Sequence, residues 1–445
     1  MKNGNILFWI WLSEALGAAG RSFRSLISQY ENPYDLFHAD AAELERIPDI
    51  SDRARRALCD KSLKHASEIL ETCERNGIRI LCYGDEQYPN ALREIASPPV
   101  LLYYRGTLPD FNRRLCIGVV GTRRMSAYGL RSAYKISYEL ALAGAVTVSG
   151  LAAGIDGVAA AATLAAGGNT VAVLGCGVDV VYPRHHDRLM EAVCREGAVM
   201  SEYPPGTRPA NYHFPVRNRL ISGISQGTLV VEAGIGSGSL ITAKDAILQG
   251  REVFALPANV GSAGAEGTNG LLRDGAVLAL GAADILRPYQ YVYAGAISMG
   301  AVSGTDTVPD ADLAYLERLG VIETTPAKPS AEKDATLKQQ RSPERTPAAV
   351  APLREPPTKP QEQPSAYEAE PEKETEETDP PADEVLDALT DCQRTILAAI
   401  PADGSVPADR LSQLGYPFGD VIAALTVLEI LGLIRKLPGA LYTRA

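Results

Sequence analysis

Seven short apolar segments alternate with alanine-rich helical segments between residues 115 and 280, and this alternation limits the fold more than any other feature of the sequence. Each segment is apolar at nearly every position, so both faces of the resulting strand must be covered. The pattern therefore predicts an α/β fold with an extended Rossmann-like parallel sheet, covered by helices on both faces. The seven segments are Leu115–Val120, Val146–Ser149, Thr170–Leu174, Ala198–Ser201, Thr228–Glu232, Glu252–Leu256 and Val277–Leu280.

The regions before this pattern divide in two. Residues 1–75 place leucine and isoleucine at helical spacing between turn residues, which predicts a small all-helical N-terminal module. Leu44–Ile50 is similar to a helix-hairpin-helix or SAM-like segment, but it lacks the glycines that grip DNA backbone, so packing or protein interaction is the favoured role. Strand-like runs at residues 78–83 and 100–104 assign the main domain to residues 76–290.

The regions after the pattern also differ from each other. Residues 324–381 contain 12 prolines and few aliphatic residues, so residues 291–383 are predicted to be a disordered linker. Three helical runs, Asp391–Ala399, Pro407–Leu414 and Gly419–Leu431, are followed by a hairpin-like segment, which predicts a C-terminal winged-helix domain at residues 384–445.

Charge and cysteine content limit the partners. The net charge is −11, yet residues 113–287 carry 16 Lys and Arg against 13 Asp and Glu, whereas residues 324–383 carry 8 against 13. Any nucleic-acid contact would therefore need a local basic patch on the middle domain. The 7 cysteines include no CxxC pair, and no apolar run reaches the roughly 18 residues that span a bilayer. We expect a cytoplasmic protein with no metal, no cofactor and no membrane contact.

Two glycine-bearing turns follow the first two strands of the pattern. Gly121, Thr122, Arg123 and Arg124 combine backbone N–H groups, a hydroxyl and guanidinium groups, which is the composition of a phosphate cradle. In the second turn, Gly150 and Gly154 would allow a ligand to approach the backbone, although their spacing is not that of a dinucleotide fingerprint. Asp156 either serves this site or caps the helix that follows.

Two further segments carry candidate anion ligands. A strand leads into the Gly/Ser turn Ser237, Gly238 and Ser239 and then into a helix that contains Lys244, and this arrangement favours anion binding without being a Walker A loop. Arg217, Asn218 and Arg219 are predicted in the first turns of a helix, where cations oppose the helix dipole unless an anion binds there. Arg184 follows a strand in a nearby loop. The adjacent His185 and His186 are poor candidates for a metal site.

Taken in order, these motifs resemble the DNA-processing protein A family, also called DprA or Smf. The resemblance runs from about Leu81 to Leu286. Its stretches are Gly121–Arg123, Ser149–Asp156, Val173–Pro183, Ser201–Gly206, Phe214–Arg219, Ser237–Ala243 and Gly267–Asn269. The chain departs from the family at Thr122, where a serine is usual, and at Ala160, where a histidine is usual, which puts any role of that histidine in doubt.

The resemblance implies a function. Family members bind incoming single-stranded DNA non-specifically during natural transformation and recombination, protect it, load the RecA recombinase onto it, and dimerise through the Rossmann domain. By this resemblance, a basic pocket at the carboxyl ends of the strands would hold the DNA, with Arg123 on phosphate and Arg184 at the edge. Arg217, Asn218 and Arg219 would line it, and Ser237, Gly238 and Ser239 would donate hydrogen bonds.

An enzymatic alternative remains. The turn from Glu232 to Ser239 also resembles the phosphate turn of nucleoside-monophosphate phosphoribohydrolases, but the carboxylate that follows that turn in those enzymes is absent before Asp245. A nucleotide sensor is a third possibility. We expect a binding protein that is not an enzyme. The predicted second and third helices of the winged-helix domain carry one basic residue, Arg410, so a protein partner is favoured there over duplex DNA.

Overall fold

The computed structural model describes most of the chain in two compact units, residues 1–334 and 335–445. The described residues are 3–20, 22–262, 264–302, 310–322, 391–401, 404–411, 414–416, 421, 424–425, 428, 433–437 and 441–444.

The described part of the first unit contains a nine-stranded sheet with the order β1-β2-β6-β5-β4-β3-β7-β8-β9. β2 is antiparallel to β1 and β6, and the other pairs are parallel. The strands are β1 Arg79–Cys82, β2 Leu101–Gly106, β3 Cys116–Val120, β4 Val146–Ser149, β5 Thr170–Val173, β6 Ala198–Ser201, β7 Gly227–Val230, β8 Glu252–Ala255 and β9 Val277–Leu278. The predicted α/β class and the predicted parallel sheet are confirmed.

Helices cover both faces of this sheet. Residues of α8, α9, α10 and α14 pack in one core, and residues of α7, α11 and α12 pack in the other. The helices of this unit are α1 Asn3–Leu16, α2 Phe23–Gln29, α3 Pro33–His38, α4 Ala41–Glu45, α5 Asp52–Cys59, α6 Lys64–Arg75, α7 Asn90–Glu94, α8 Ala127–Leu142, α9 Ile155–Ala165, α10 Asp187–Glu196, α11 His213–Ile224, α12 Gly238–Leu248, α13 Glu266–Arg273, α14 Ala282–Leu286 and α15 Asp310–Arg318. Central strands are buried at every position, which explains their continuous apolar sequence.

The strand order reverses at β3. From β3 the chain adds β4, β5 and β6 on one side, and it then returns to add β7, β8 and β9 on the other. In open α/β sheets, ligands bind outside the carboxyl ends of the strands at such a switch point. The turns after β3 and β7 therefore lie where a ligand site is expected.

The N-terminal helices pack on the core shared with α8 and α9. Trp9, Trp11 and Phe23 are buried in it. The contacts that join the helices to the main domain include two sets of hydrogen bonds: Ala19 N–H donates to Glu202 Oε1 at 3.1 Å, and Arg24 donates to backbone carbonyls that include Ile95 O. The structure thus places the predicted module within the larger folded unit.

The folded unit extends past residue 290, where the sequence pattern ended the main domain and began the linker. Leu316, Leu319 and Val321 are buried in the core that contains α9, and α15 contacts α9 directly. The pattern missed this helix because it has only nine residues and lies between polar and proline-rich segments. Residues 303–309 and 323–390, which hold most of the predicted linker, lie outside the described residues.

The C-terminal unit contains α16 Asp391–Ala399 and α17 Ala408–Leu411. Its sheet has the order β10-β12-β11, formed by β10 Val406–Pro407, β11 Ile434–Leu437 and β12 Leu441–Arg444. The predicted third helix falls partly outside the described residues, but Val421, Leu425 and Leu428 are helical and buried with Ile396. The predicted winged-helix architecture is confirmed. In the described part of the chain, no helix is long and apolar enough to cross a membrane.

We expect Gly106→Ala to destabilise the protein more than Gly77→Ala. Both glycines have positive φ, 92° and 63°, which costs an alanine about 1 kcal/mol. At Gly106 a Cβ would also collide with the carbonyl oxygens of Gly197 and Cys194, whereas at Gly77 the space is open. Urea denaturation followed by circular dichroism should show a loss of about 2–4 kcal/mol for Gly106→Ala, because overpacking adds to the backbone strain. Equal losses for the two variants would contradict this packing.

Candidate nucleic-acid interface

Two turns meet at the switch point of the sheet. Thr122 N–H, in the turn after β3, donates to Glu232 O in the turn after β7 at 2.8 Å, and Val231 N–H donates to Val120 O at 3.1 Å. The turn after β4 joins them, since Ile155 N–H donates to Thr122 O at 3.2 Å. Three turns that are distant in sequence thus form one rigid surface at the carboxyl edge.

Glycine is required where these turns touch. Gly154 has φ +84°, and a Cβ there would overlap Thr122 O and the backbone of Arg123. A Cβ on Gly121 would lie 2.5 Å from Ile155 Cγ1. The sequence had suggested that Gly150 and Gly154 bring the backbone close to a ligand. In the structure, Gly154 brings the second turn close to the first.

Arg217 holds the first turn of α11 against the sheet. Its side chain is buried, and the residue is 5% exposed. Nη1 donates to Gly150 O at 2.9 Å and to Val173 O, at the ends of β4 and β5, and Nε donates to Asn218 Oδ1 at 3.2 Å. A Cβ on Gly150 would lie 2.6 Å from Nη2, so glycine is required for this approach. Burial lowers the pKa of Arg217 from its ordinary value.

Asn218 connects α11 to the start of α12. Its Nδ2 donates to Gly238 O at 3.3 Å. The hydroxyls of Ser237 and Ser239 lie 2.8 Å apart in the same turn, and Ser237 does not cap the helix with its side chain. The N-terminus of the 11-residue helix α12 therefore opens beside Asn218, with the positive end of the helix dipole toward the site.

These groups surround a cavity of about 300 Å³, called the small cavity below. It brings together seven of the predicted residues: Gly121, Arg123, Arg217, Asn218, Ser237, Gly238 and Ser239. The volume lies at the lower end of the range of small-molecule sites, about 300–1,000 Å³. A cavity of this volume fits one nucleotide-sized unit better than a DNA duplex.

Phe214 forms the aromatic side of the small cavity. The guanidinium carbons of Arg123 and Arg217 lie 5.3 and 6.0 Å from its ring centroid, and Tyr182 stacks on the ring at 5.2 Å. The signal that could have selected Phe214 is its position three residues before Arg217, which places both on one helix face.

Asp156 is the carboxylate that lines the small cavity. Its Oδ2 accepts the Gly150 N–H at 2.9 Å, and the N-cap of α9 is Gly154, so the carboxylate joins the turns and does not cap that helix. Burial is the largest influence and raises the pKa of Asp156 to about 6, while Arg217 and the backbone N–H groups of Gly150, Ala152 and Gly121 oppose the rise. The sequence left open whether Asp156 serves the site or caps α9. The structure places it at the site and not at the N-cap of α9.

Several predicted residues lie elsewhere. Arg219 forms a largely buried ion pair with Glu202, with Nη2 2.6 Å from Oε2, and it does not line the small cavity. Arg219 fails as a cavity residue because two positions along a helix correspond to about 200° of rotation, which points it away from Arg217. Arg184 and Lys244 are exposed and line neither of the two cavities at this edge. Thr122 and Arg124 line a neighbouring, larger cavity.

Of the two histidines in the loop after β5, His185 is exposed and His186 is enclosed by the protein. His186 is fully buried, its Nδ1 lies 3.0 Å from Leu151 O, and burial lowers its pKa to about 4. Among the described residues, no cluster of three His, Cys, Asp or Glu side chains could hold a metal ion. Ala160, at the position where the family usually has histidine, is buried in α9.

Comparison with known proteins gives consistent matches. The sequence model of the family described as DNA recombination-mediator protein A matches residues 79–290, and that of the DprA winged helix domain matches residues 369–440. Protein Smf of Synechocystis sp. is 31% identical over 449 residues, covering 100% of both chains. The DNA processing protein DprA of Streptococcus pneumoniae is 42% identical over 207 residues, which cover 46% of this chain and 73% of that protein. Its crystal structure aligns with a TM-score of 0.55 at 33% identity, covering 62% of this chain and 97% of the other.

We expect Asp156 to make the stability of the protein depend on pH between about 4 and 6. The pKa of this carboxyl is about 6 in the folded protein against 3.8 ordinarily, so the folded state binds more protons than the unfolded state in this window. The free energy of unfolding should therefore fall as pH rises through it, by about 3 kcal/mol at 1.36 kcal/mol per pKa unit. Urea denaturation of the wild type and of Asp156→Asn at a series of pH values gives the free energy of unfolding of each. The difference between the two free energies should change with pH only below about pH 6. A difference that is constant with pH would contradict this environment.

Proposed function

Since this chain belongs to the DNA recombination-mediator protein A family, whose members are also called DprA or Smf, we propose that it binds single-stranded DNA non-specifically in the small cavity. The relatives named DNA processing protein DprA support the DNA-processing role. Binding would use the phosphate backbone, because the groups that converge on the cavity are those that bind anions.

The observation that carries the proposal is the convergence of two guanidinium groups on one helix N-terminus. Arg123 is exposed and Arg217 is buried, and both contact Phe214 beside the start of α12. The opposing carboxylate, Asp156, already accepts backbone N–H groups. Asp156 compensates part of the charge of Arg217, so a phosphate would meet the positive potential of the exposed Arg123 and of the start of α12. Such contacts give sequence-independent, salt-dependent affinity.

A single strand suits the cavity better than a duplex. The cavity has a volume of only about 300 Å³, and Phe214 offers an aromatic surface next to the cations, which is the combination that proteins use for unpaired bases. Tyr212, 72% exposed at the start of α11, gives a further stacking surface. Because Phe214 is partly covered by Tyr182 and by the arginines, electrostatic contacts should outweigh stacking.

The proposed role is binding without catalysis. In the phosphoribohydrolase alternative, a carboxylate near the start of α12 would act on the glycosidic bond, but the corresponding residues are Leu240, Ile241 and Thr242. Asp245 lies about two turns from the start of α12, where burial raises its pKa and Arg219 opposes the rise. A nucleotide-sensing role would use the same phosphate contacts and differs only in ligand length.

The wider role follows from the family. We propose that the protein protects single-stranded DNA and loads RecA recombinase onto it during transformation and recombination, in the cytoplasm. We also propose that it acts as a homodimer through the Rossmann domain. For the winged-helix domain we propose a protein-binding role, since its predicted second and third helices carry Arg410 as their one basic residue.

Arg123→Ala should weaken binding of a labelled oligo-dT about tenfold, because one charge-assisted phosphate contact contributes about 1.5 kcal/mol. The slope of log affinity against log salt should become shallower by about 0.7, the value for one phosphate on a single strand. Fluorescence anisotropy at several salt concentrations measures both. Arg113→Ala is the matched control, because Arg113 is exposed at the opposite edge, before β3 begins.

Three outcomes of this titration would contradict the proposal: no binding of oligo-dT by the wild type at low salt, preference for a duplex, or equal effects of the two variants. Release of free base from a nucleoside monophosphate would instead favour the enzymatic alternative. The buried hydrogen bonds of Arg217 lead us to expect that Arg217→Ala also lowers stability, so Arg123→Ala is the cleaner test.

A further inference from the structure

A second cavity, called the large cavity below, lies beside the small one. Its volume is about 1460 Å³, and it extends over the N-terminus of α8, the turn after β7 and the loop after β8. The proposed function makes no use of it, because it contains neither Arg217 nor the start of α11. Its volume exceeds the range of about 300–1,000 Å³ that is usual for a single small ligand.

The two cavities share a wall. Alternate residues of the turn after β3 line different cavities: Gly121 and Arg123 line the small one, and Thr122 and Arg124 line the large one. Ser237 lines both. A chain-like ligand with a phosphate in the small cavity therefore needs only to cross this turn to enter the large one.

The charges in the large cavity suit an extended strand and not a free anion. Arg124 and Arg131 are exposed at its surface. The acidic side chain, Glu232, is 7% exposed, and its Oε2 accepts the N–H and the hydroxyl of Ser126, each at 3.0 Å. This carboxylate occupies the N-terminus of α8 and disfavours a phosphate at depth, whereas the two arginines attract phosphates at the rim.

The remaining surface of the large cavity suits bases. Ile235 is 82% exposed and Tyr128 is 41% exposed, and both line it. The hydroxyl of Tyr128 donates to Pro257 O at 2.8 Å, which holds its ring at the wall. A strand with phosphates along the rim would turn its bases toward this apolar and aromatic surface.

We propose that the large cavity is a second subsite for the same single strand, occupied by the nucleotides that follow the one in the small cavity. This inference rests on the proposed function, since it extends the path of the DNA. Arg124 and Arg131 bind successive phosphates at the rim, and the turn that carries Arg123 and Arg124 separates the two subsites.

The test combines oligonucleotide length with a double variant of the full-length protein. Labelled oligo-dT from about 4 to about 16 nucleotides, the range of site sizes known for single-strand binding folds, is titrated by anisotropy. The wild type should gain affinity with length. Arg124→Ala/Arg131→Ala should bind the shortest oligonucleotides like the wild type, and it should bind the longest at least about tenfold more weakly, with a salt slope shallower by about 1.4 for two phosphates. Arg113→Ala, at the opposite edge, should match the wild type at every length.

The outcomes separate this inference from the proposed function. Equal weakening of short and long oligonucleotides by the double variant, or affinity equal to the wild type at all lengths, would overturn the second subsite while leaving the small cavity as the DNA site. Failure of the wild type to bind oligonucleotides of any length would instead reject the proposed function itself. Circular dichroism of the variants distinguishes these outcomes from misfolding, and both arginines are exposed, so their removal should leave the fold unchanged.

Discussion

The buried guanidinium of Arg217 is the contact on which the rest of the site depends. By donating to the carbonyls of Gly150 and Val173, it fixes the start of α11 against the ends of β4 and β5. A buried cation is costly unless its hydrogen bonds are satisfied, and carbonyls at the carboxyl ends of parallel strands supply acceptors there. Asn218 then extends this arrangement to Gly238, so that the start of α12 is placed beside the same cation.

Neighbouring arginines in this site have different roles because backbone geometry sends them to different surroundings. On α11, Arg217 faces the sheet, whereas Arg219 pairs with Glu202, which also accepts the Ala19 N–H of the N-terminal helices. In the turn after β3, Arg123 and Arg124 line different cavities. The exact position of a basic residue along a helix or turn therefore decides whether it has a structural role or contacts a bound phosphate.

Close contact between the turns explains the glycines of the motifs better than ligand contact does. Gly121 and Gly154 allow the turns after β3 and β4 to meet, and Gly150 allows Arg217 to approach. Asp156 then joins both turns through their backbone N–H groups, at the cost of a raised pKa. The motif residues thus build a preorganised edge, and the exposed cations, Arg123 and Arg124, are the groups left to meet a ligand.

The amino-acid sequence by itself determined the α/β class, the nine strands of the described sheet and the edge at which the candidate site lies. It could do so because buried parallel strands require continuous apolar runs and because the carboxyl ends of such strands meet at one edge. Only the tertiary structure decided that Arg219 leaves the cavity for Glu202, that Asp156 joins turns, that α15 packs on α9 and that a second cavity lies beside Arg124. These outcomes depend on which partner is within reach of each side chain. Partners such as Glu202, Gly121 and Ser237 come from distant parts of the chain, so local pattern carries no information about them.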